Sequence, residues 1–545
     1  MKKQKKFRSW WLFATLVCAL TIAFMAGSLN GEFLNWDDDR IIVNNPRVHS
    51  FSVANIAYAF GGLAFESYQP LHLVSYMIDG HLWPGNALGY RAHNLALYLG
   101  AVLLLFWLFK RIGLGPISAT IGCLFFALAP YRVESVAWIT GRKDVLMLLL
   151  ALGSWHLYLS SFEEGRFLRS KRLCSLFLFV AALLSKSSAL VLPAMMLIVD
   201  VAFFKRPLKR SLIAASPFAV IALAFAAALP MIWSRAEMVR QPISPGFTGR
   251  IALVGWTVSH YMTTLLWPFG TSPMYAEPTA DELIRGMIVG YGTIFLFVLA
   301  FYFARKKSLH IGKSVGAIVL FFVALIPFLN FVPLYFLAAD RYLLLPTIGV
   351  SLGVGLICEA AQRSQDIRRT GNRRGLSRAT PVLLSALIPL YAVATVTEAR
   401  AWTNSEKLWR HAVSRQPKSF YAWIKLGETL RKSGRPSESA EAYRAAQRIR
   451  PLSPIALGGV FWAELLVDAD NHPSVSHELA EKLTYRFLAI ANNAHELIDF
   501  ARYLRKQQLT NASEVVLERL TAYVKPVNSA PISERKPLRW RRPAP

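Results

Sequence analysis

The sequence predicts an all-α membrane protein, a helix bundle of about eleven spans followed by a short α-solenoid. Three observations carry this reading. Of the 545 residues, 54% are hydrophobic and only 17% are charged. Lys and Arg nevertheless outnumber Asp and Glu by 61 to 33, a formal net charge of +28. The soluble tail repeats itself every 34 residues. A soluble chain this apolar would need a core larger than the ~250–300 residues at which single cores stop growing. A nucleic-acid binder this basic would be rich in charge, not poor, so no nucleic-acid partner is expected. Lipid resolves the conflict, because the bilayer takes the apolar residues and cytoplasmic loops collect Lys and Arg.

The first apolar run, 10–29, follows the basic segment MKKQKKFR. It is close to the ~20 residues needed to span, and no A-x-A site precedes Asn30, so it reads as a retained helix. Further runs lie near 92–109, 114–131, 145–161, 173–189, 190–204, 211–231, 285–304, 314–331, 342–361 and 379–397. With the N-terminus inside, the inward loops carry 25 Lys and Arg, and the considerably longer outward loops carry 11. This bias requires that only one of 250–268 and 285–304 crosses. The first contains Arg250, His260 and several Ser and Thr, which suits an interfacial helix on the outer face. Everything after residue 397 then lies outside the cytoplasm. The basic stretch 363–378 reads as a topology anchor. The expected organisation is a membrane domain at 1–397 with a large outward loop at 30–91, a helical domain at 398–525, and a disordered basic tail at 526–545.

In the tail, Ser405, Trp409, Ala412 and Pro417 recur 34 residues later as Ser439, Tyr443, Ala446 and Pro451. Between them Trp423, Leu426 and Leu430 share one helical face, and Gly427 lets a partner helix approach closely. This resembles the tetratricopeptide repeat, with one full helix pair at 420–451 preceded by the second helix of another. Helical periodicity returns at 474–492 and 495–525, expected to pack as capping helices. Such repeats bind peptides or protein partners more often than they catalyse.

Polar chemistry concentrates in the outward loops. The first opens with Asn35-Trp36-Asp37-Asp38-Asp39-Arg40. Three adjacent carboxylates repel one another and favour a cation, a proton or a hydroxyl donor nearby. The structural alternative is that they cap a helix starting near Ile41 or pair with Arg40 and Arg47. Further charges stand at predicted outer span ends: Glu134, Arg142, Lys143, Asp144, Lys186, Asp340 and Arg341. Arg142, Lys143, Lys186 and Arg341 together would hold a phosphate or pyrophosphate. The alternative is internal pairing of Asp144 with Lys143 and of Asp340 with Arg341. The aspartates would also suit a divalent cation, but without ordered ligand spacing no metal site is assigned.

The segments NWDDDRIIVNNP, YQPL at 68–71, GYRAHN at 89–94, YRVESVAWITGRKDVL at 131–146, the Ser185–Lys186 pair and AADRYLLLP at 338–346 occur in one order. They resemble the bacterial relatives of the transmembrane and tetratricopeptide repeat-containing O-mannosyltransferases. The resemblance runs from about residue 30 to 450 and implies a GT-C-like fold. It further implies an enzyme of a bacterial inner membrane that moves a sugar from a polyprenyl-phosphate carrier to an acceptor on the periplasmic face. By that resemblance Asp37 or Asp38 is the general base, supported by Asp39, and Arg142, Lys143, Arg341 and Lys186 face the carrier phosphate. Glu134, Tyr68, Asn94 and Asp340 would contact sugar or acceptor or support the site. Gln69 and Ala129 depart from the Arg and His that relatives often carry. The short repeat array leaves the acceptor open between a protein hydroxyl, a glycan and a lipid. A second reading, from a different class, is a non-enzymatic membrane scaffold that recruits partners through its repeats.

Overall fold

The computed structural model describes residues 2–451 apart from 62–67, 163–168, 236–245, 307–311, 332–333 and 370–378, with scattered positions to 463 and Glu514. The regular structure of the described residues is helical, without strands. This is the expected outcome for apolar segments, since helices satisfy their own backbone groups where no water can. A helix occupies each of the eleven predicted runs: Lys2–Met25, Ala87–Ile112, Pro116–Ala127, Arg142–Ser160, Arg169–Ser185, Leu192–Ala202, Leu208–Arg235, Ala280–Lys306, Gly312–Leu325, Thr347–Arg369 and Ala379–Ala401.

Local chemistry sets the ends. The Asn86 side chain caps Ala87–Ile112 by accepting from Leu88 N at 3.0 Å. Gly113, at φ +95°, closes it in the left-handed conformation that glycine adopts without a Cβ clash. Pro116 starts the next helix at a position whose N–H would be unpaired anyway.

The eleven-span expectation meets a stricter outcome. Among the described residues four helices are long and apolar enough to cross a membrane: Ser9–Ser28, Ala87–Ile112, Leu208–Pro230 and Ala280–Leu299. The pair Pro116–Ala127 and Pro130–Ala137, bent by 62°, makes a fifth if it is one span. Ser187–Ala202 and Gly312–Phe328 are apolar but shorter, and Arg142–Ser160 is diluted by its charged start. These helices make the chain a multi-pass membrane protein. The helix expected to lie at the interface, Phe247–Leu266, packs closely along Ala280–Lys306. A Cβ on Gly290 would fall 1.9 Å from the Gly255 carbonyl oxygen, so this crossing needs glycine.

The chain divides into two compact units, 1–419 and 420–545. In the second, helices Phe420–Lys432 and Pro436–Ile449 pack as a pair. Leu426, Tyr443 and Ala446 are buried and Trp423 is half-buried. A Cβ on Gly427 would meet the Tyr443 ring at 3.0 Å, the close approach expected of that glycine. Ser439 Oγ donates to Gly427 O at 2.8 Å, and Pro451 sits in the following turn. The expectations for 474–492, 495–525 and 526–545 lie outside the described residues, apart from Glu514.

Candidate active site

The 30–91 loop brings its acidic motif against the segment 134–143 and the turn at 340–343, all in the first unit. Asp37 and Asp38 are adjacent in sequence and opposite in environment. Asp38 has no solvent exposure. Its Oδ2 accepts from Leu34 N at 3.0 Å, and its Oδ1 accepts from Thr140 N at 3.0 Å and from the Thr140 hydroxyl. Burial pushes its pKa up to about 6, while the Thr140 and Leu34 donors and the Arg91 charge oppose the rise. Asp37 is half-buried and takes the left-handed conformation at φ +71°. Most residues with a Cβ avoid this conformation, and aspartate is among the few that adopt it more readily. Asp37 O accepts from Ile41 N at 2.8 Å, and Asp39 starts a π-helical turn, Asp39–Val43. The residue before this turn, Asp38, makes no side-chain cap to it. Asp39 Oδ1 accepts from Arg40 N at 2.9 Å.

Trp36 lies in an aromatic cage. Its ring stacks on Trp402 with centroids 5.8 Å apart, and Trp138 and Trp409 each lie 5.1 Å away. Trp138 Nε1 donates to Trp36 O at 2.7 Å. Two cations flank the Trp138 ring: Lys143 Nζ is 5.1 Å from its centroid and the Arg341 guanidinium is 5.5 Å from it. Burial lowers the Lys143 ammonium to about 8, Arg341 and Lys186 add to the shift, and the nearby Asp37 charge opposes it. Arg341 pairs with Glu134, whose Oε2 also accepts from Arg341 N at 2.8 Å. Lys186 pairs with Asp144 Oδ1, and Asp144 Oδ2 is buried without a hydrogen-bond partner among the described residues. The pairings anticipated within 143–144 and 340–341 are thus replaced by longer-range ones. Asp340 instead accepts from Tyr275 OH at 2.6 Å and Ser272 N at 3.1 Å. Burial, reinforced by the Glu134 charge, holds its carboxyl well above the usual range.

Arg142 stands apart from the three other cations. It is fully buried, and its Nε donates to Asn94 Oδ1 at 2.6 Å, Nη2 to Tyr90 O at 2.8 Å and Nη1 to Ser75 O at 3.2 Å. It also pairs with Asp79, whose other oxygen meets His93 Nδ1 at 2.6 Å. Each nitrogen of the guanidinium expected to face a phosphate is thus engaged within the protein. Asn94 is buried too and donates to Trp138 O at 3.0 Å and Ile139 O at 3.2 Å, which fixes the backbone that carries Trp138 and Thr140. Tyr68 donates to Phe60 O at 3.2 Å, and no described contact joins it to the cluster.

Four contributors were not singled out by sequence. Thr140 holds Asp38. Arg91, inside GYRAHN, donates to Ser28 O at 3.0 Å, Ala137 O at 2.7 Å and Glu32 O at 2.5 Å, fastening the loop to the end of the first helix. Asp79 pairs with Arg142. Trp402 completes the cage. An arginine in the first turns of an otherwise apolar helix was the available signal for Arg91. Among the described residues no three His, Cys, Asp or Glu side chains group to hold a metal ion.

Fold and cluster together define a multi-pass, all-helical protein with a buried carboxylate–cation site assembled from its loops. Comparison places it among named proteins. Protein O-mannosyl-transferase TMTC1 of Homo sapiens is 25% identical over 518 residues, covering 82% of this chain and 56% of the relative. Protein O-mannosyl-transferase TMTC4 of Homo sapiens is 27% identical over 28% of the chain and 23% of its own length. Protein O-mannosyl-transferase F38B6.6 of Caenorhabditis elegans is 28% identical over 27% of the chain and 23% of its own. The chain is a relative of these O-mannosyltransferases, and it spans little more than half the length of human TMTC1. No family model matches it. No solved structure matches it.

Proposed function

We propose that the chain is a membrane glycosyltransferase of GT-C type that transfers a hexose, mannose by analogy with its relatives, from a polyprenyl-phosphate donor to an acceptor hydroxyl. In this reading Asp37 is the general base. The acceptor oxygen forms a bond to sugar C1 as its proton passes to the Asp37 carboxylate. The bond from C1 to the phosphate oxygen breaks, and the polyprenyl phosphate leaves with the electron pair. The observation that carries this is the division of labour between neighbours. Asp38 is wholly engaged with Leu34 and Thr140, whereas Asp37 is half-buried beside Lys143 and one residue from the cage that Arg341 faces.

The leaving group gains charge in the transition state, which preorganised cations stabilise. Lys143 and Arg341 suit that role, with Lys186 behind them. Asp144 Oδ2, an acceptor without a donor among the described residues, suits a sugar hydroxyl. Asp38, Asn94 and Arg142 belong to the scaffold that places these groups. The eleven-span topology, with the active face and the tetratricopeptide-like helices outside the cytoplasm of a bacterial inner membrane, agrees with the loop charges and the helix at every predicted run. The helix pair in the second unit suits an extended polypeptide acceptor.

The test is transfer by the purified full-length chain in lipid nanodiscs, with radiolabelled polyprenyl-phosphate mannose and a threonine-rich peptide. The reading predicts labelled peptide and stoichiometric polyprenyl phosphate, and no transfer from a nucleotide sugar. Transfer from the nucleotide sugar alone, or no turnover of either donor with peptide, glycan or lipid acceptors, would overturn it.

A further inference from the structure

The repeat that predicts a solenoid is used in two different ways. In the second unit Ser439 Oγ donates to Gly427 O and the Tyr443 ring packs on Gly427, an ordinary helix-pair contact. The equivalent residues one repeat earlier, Ser405 and Trp409, face the acidic loop. Ser405 Oγ accepts from Asn35 N at 2.9 Å, and Trp409 Nε1 donates to Asn35 Oδ1 at 2.5 Å. Both Trp409 and Trp402 touch the Trp36 ring, and Glu32 N donates to Thr403 O at 2.8 Å.

The corner that presents these groups is braced. Helix Ala379–Ala401 meets helix Ser405–Arg415 there, and Glu398 lies buried between them. Glu398 Oε1 accepts from Trp402 Nε1 at 3.1 Å, and its Oε2 meets His411 Nε2 at 2.9 Å and the Thr271 hydroxyl at 3.0 Å. Asn35 and Trp36 are therefore fixed from one side by this corner, and Asp38 is fixed from the other by Thr140. Between the anchors stands Asp37 at φ +71°. A strained residue persists where its surroundings over-determine it, and such residues cluster at functional sites.

We infer that this corner is a working part of the active site. Ser405 and Trp409 through Asn35, and Trp402 through Trp36, are positioning residues that hold Asp37 in its left-handed conformation. The first repeat helix thus acts on the reacting carboxylate and not solely on an acceptor. The inference rests on the transferase reading for its kinetic consequence but not for its structural one.

Trp409→Phe removes the indole N–H and keeps a ring against Trp36. Asn35→Ala removes the acceptor from the loop side, so the contact remains readable if one variant folds poorly. Each is expected to lower kcat about tenfold while leaving the donor KM within twofold, the pattern of a misplaced reacting group. Hydrogen exchange of residues 32–40 in the full-length chain should accelerate in both. The double variant should be no slower than either single one, because both remove one interaction. Wild-type kcat and unchanged exchange in both variants, or fully additive losses in the double, would overturn the inference. If the wild-type chain shows no transfer at all, the functional reading has failed, and the exchange of 32–40 alone decides whether the corner holds the loop.

Discussion

Two charged clusters lie within a few residues of each other in this chain and differ in one respect. Around Arg142 each guanidinium nitrogen has a protein partner: Asn94, Ser75 and Tyr90 accept from it and Asp79 pairs with it, although Asp79 Oδ2 makes no hydrogen bond among the described residues. Around Asp37 the groups are incompletely matched. Lys143 leans on an aromatic face, and Asp37 itself is half-buried at φ +71°. A cation engaged on every nitrogen holds a fold, whereas one that rests on an aromatic face leaves its donors for a ligand. Net charge and position along the chain do not separate the two; the partners of the cation do.

The sharpest way to break the comparison is to damage the network around Arg142. Arg142→Ala leaves Asp79 buried opposite His93 alone, and removing one partner of a buried pair costs about 3–5 kcal/mol. The expected outcome is a large fall in thermal stability in detergent, read by tryptophan fluorescence. A variant as stable as wild type but unable to bind polyprenyl phosphate would return Arg142 to the binding site.

Next in size is Lys143→Ala. It should leave the melting temperature within a few degrees and lower kcat/KM about 10- to 100-fold, the loss of about 1.4–2.7 kcal/mol of transition-state stabilisation. Unchanged kinetics would remove Lys143 from the leaving-group site.

The smallest effect concerns pH. Asp38 sits at about 6 because burial raises it and the Thr140 hydroxyl, Leu34 N–H and Arg91 charge hold it down. Below that pH the carboxyl gains a proton where it now accepts three hydrogen bonds, so the loop loosens and activity falls on the acid side. Thr140→Val deletes one donor that favours the charged form, so the acid limb of kcat/KM should move to higher pH. A limb that stays in place or moves down would show that another group sets it.

The helical architecture was legible because lipid enforces long apolar runs, and a helix stands at each one. The 34-residue period revealed the close approach at Gly427. The acidic motif was legible as a cluster, but the difference between Asp37 and Asp38 was not. It depends on Thr140, which lies 102 residues away. Likewise Trp409 reads as an ordinary repeat position, and its bond to Asn35 joins residues 374 apart. Arg142 and Lys143 are neighbours of equal charge, and only three-dimensional packing decides which one keeps a free face.

The most direct measurement is a single turnover by Asp37→Asn, since asparagine tolerates the left-handed conformation and removes only the charge. Loaded to saturation with polyprenyl-phosphate mannose, this variant should bind donor with wild-type affinity and unfold at the wild-type temperature. It should transfer sugar at least about 10²–10⁴-fold more slowly, the range expected for loss of a general base. Transfer at the wild-type rate would contradict the assignment of Asp37 and, with it, the central account of the site.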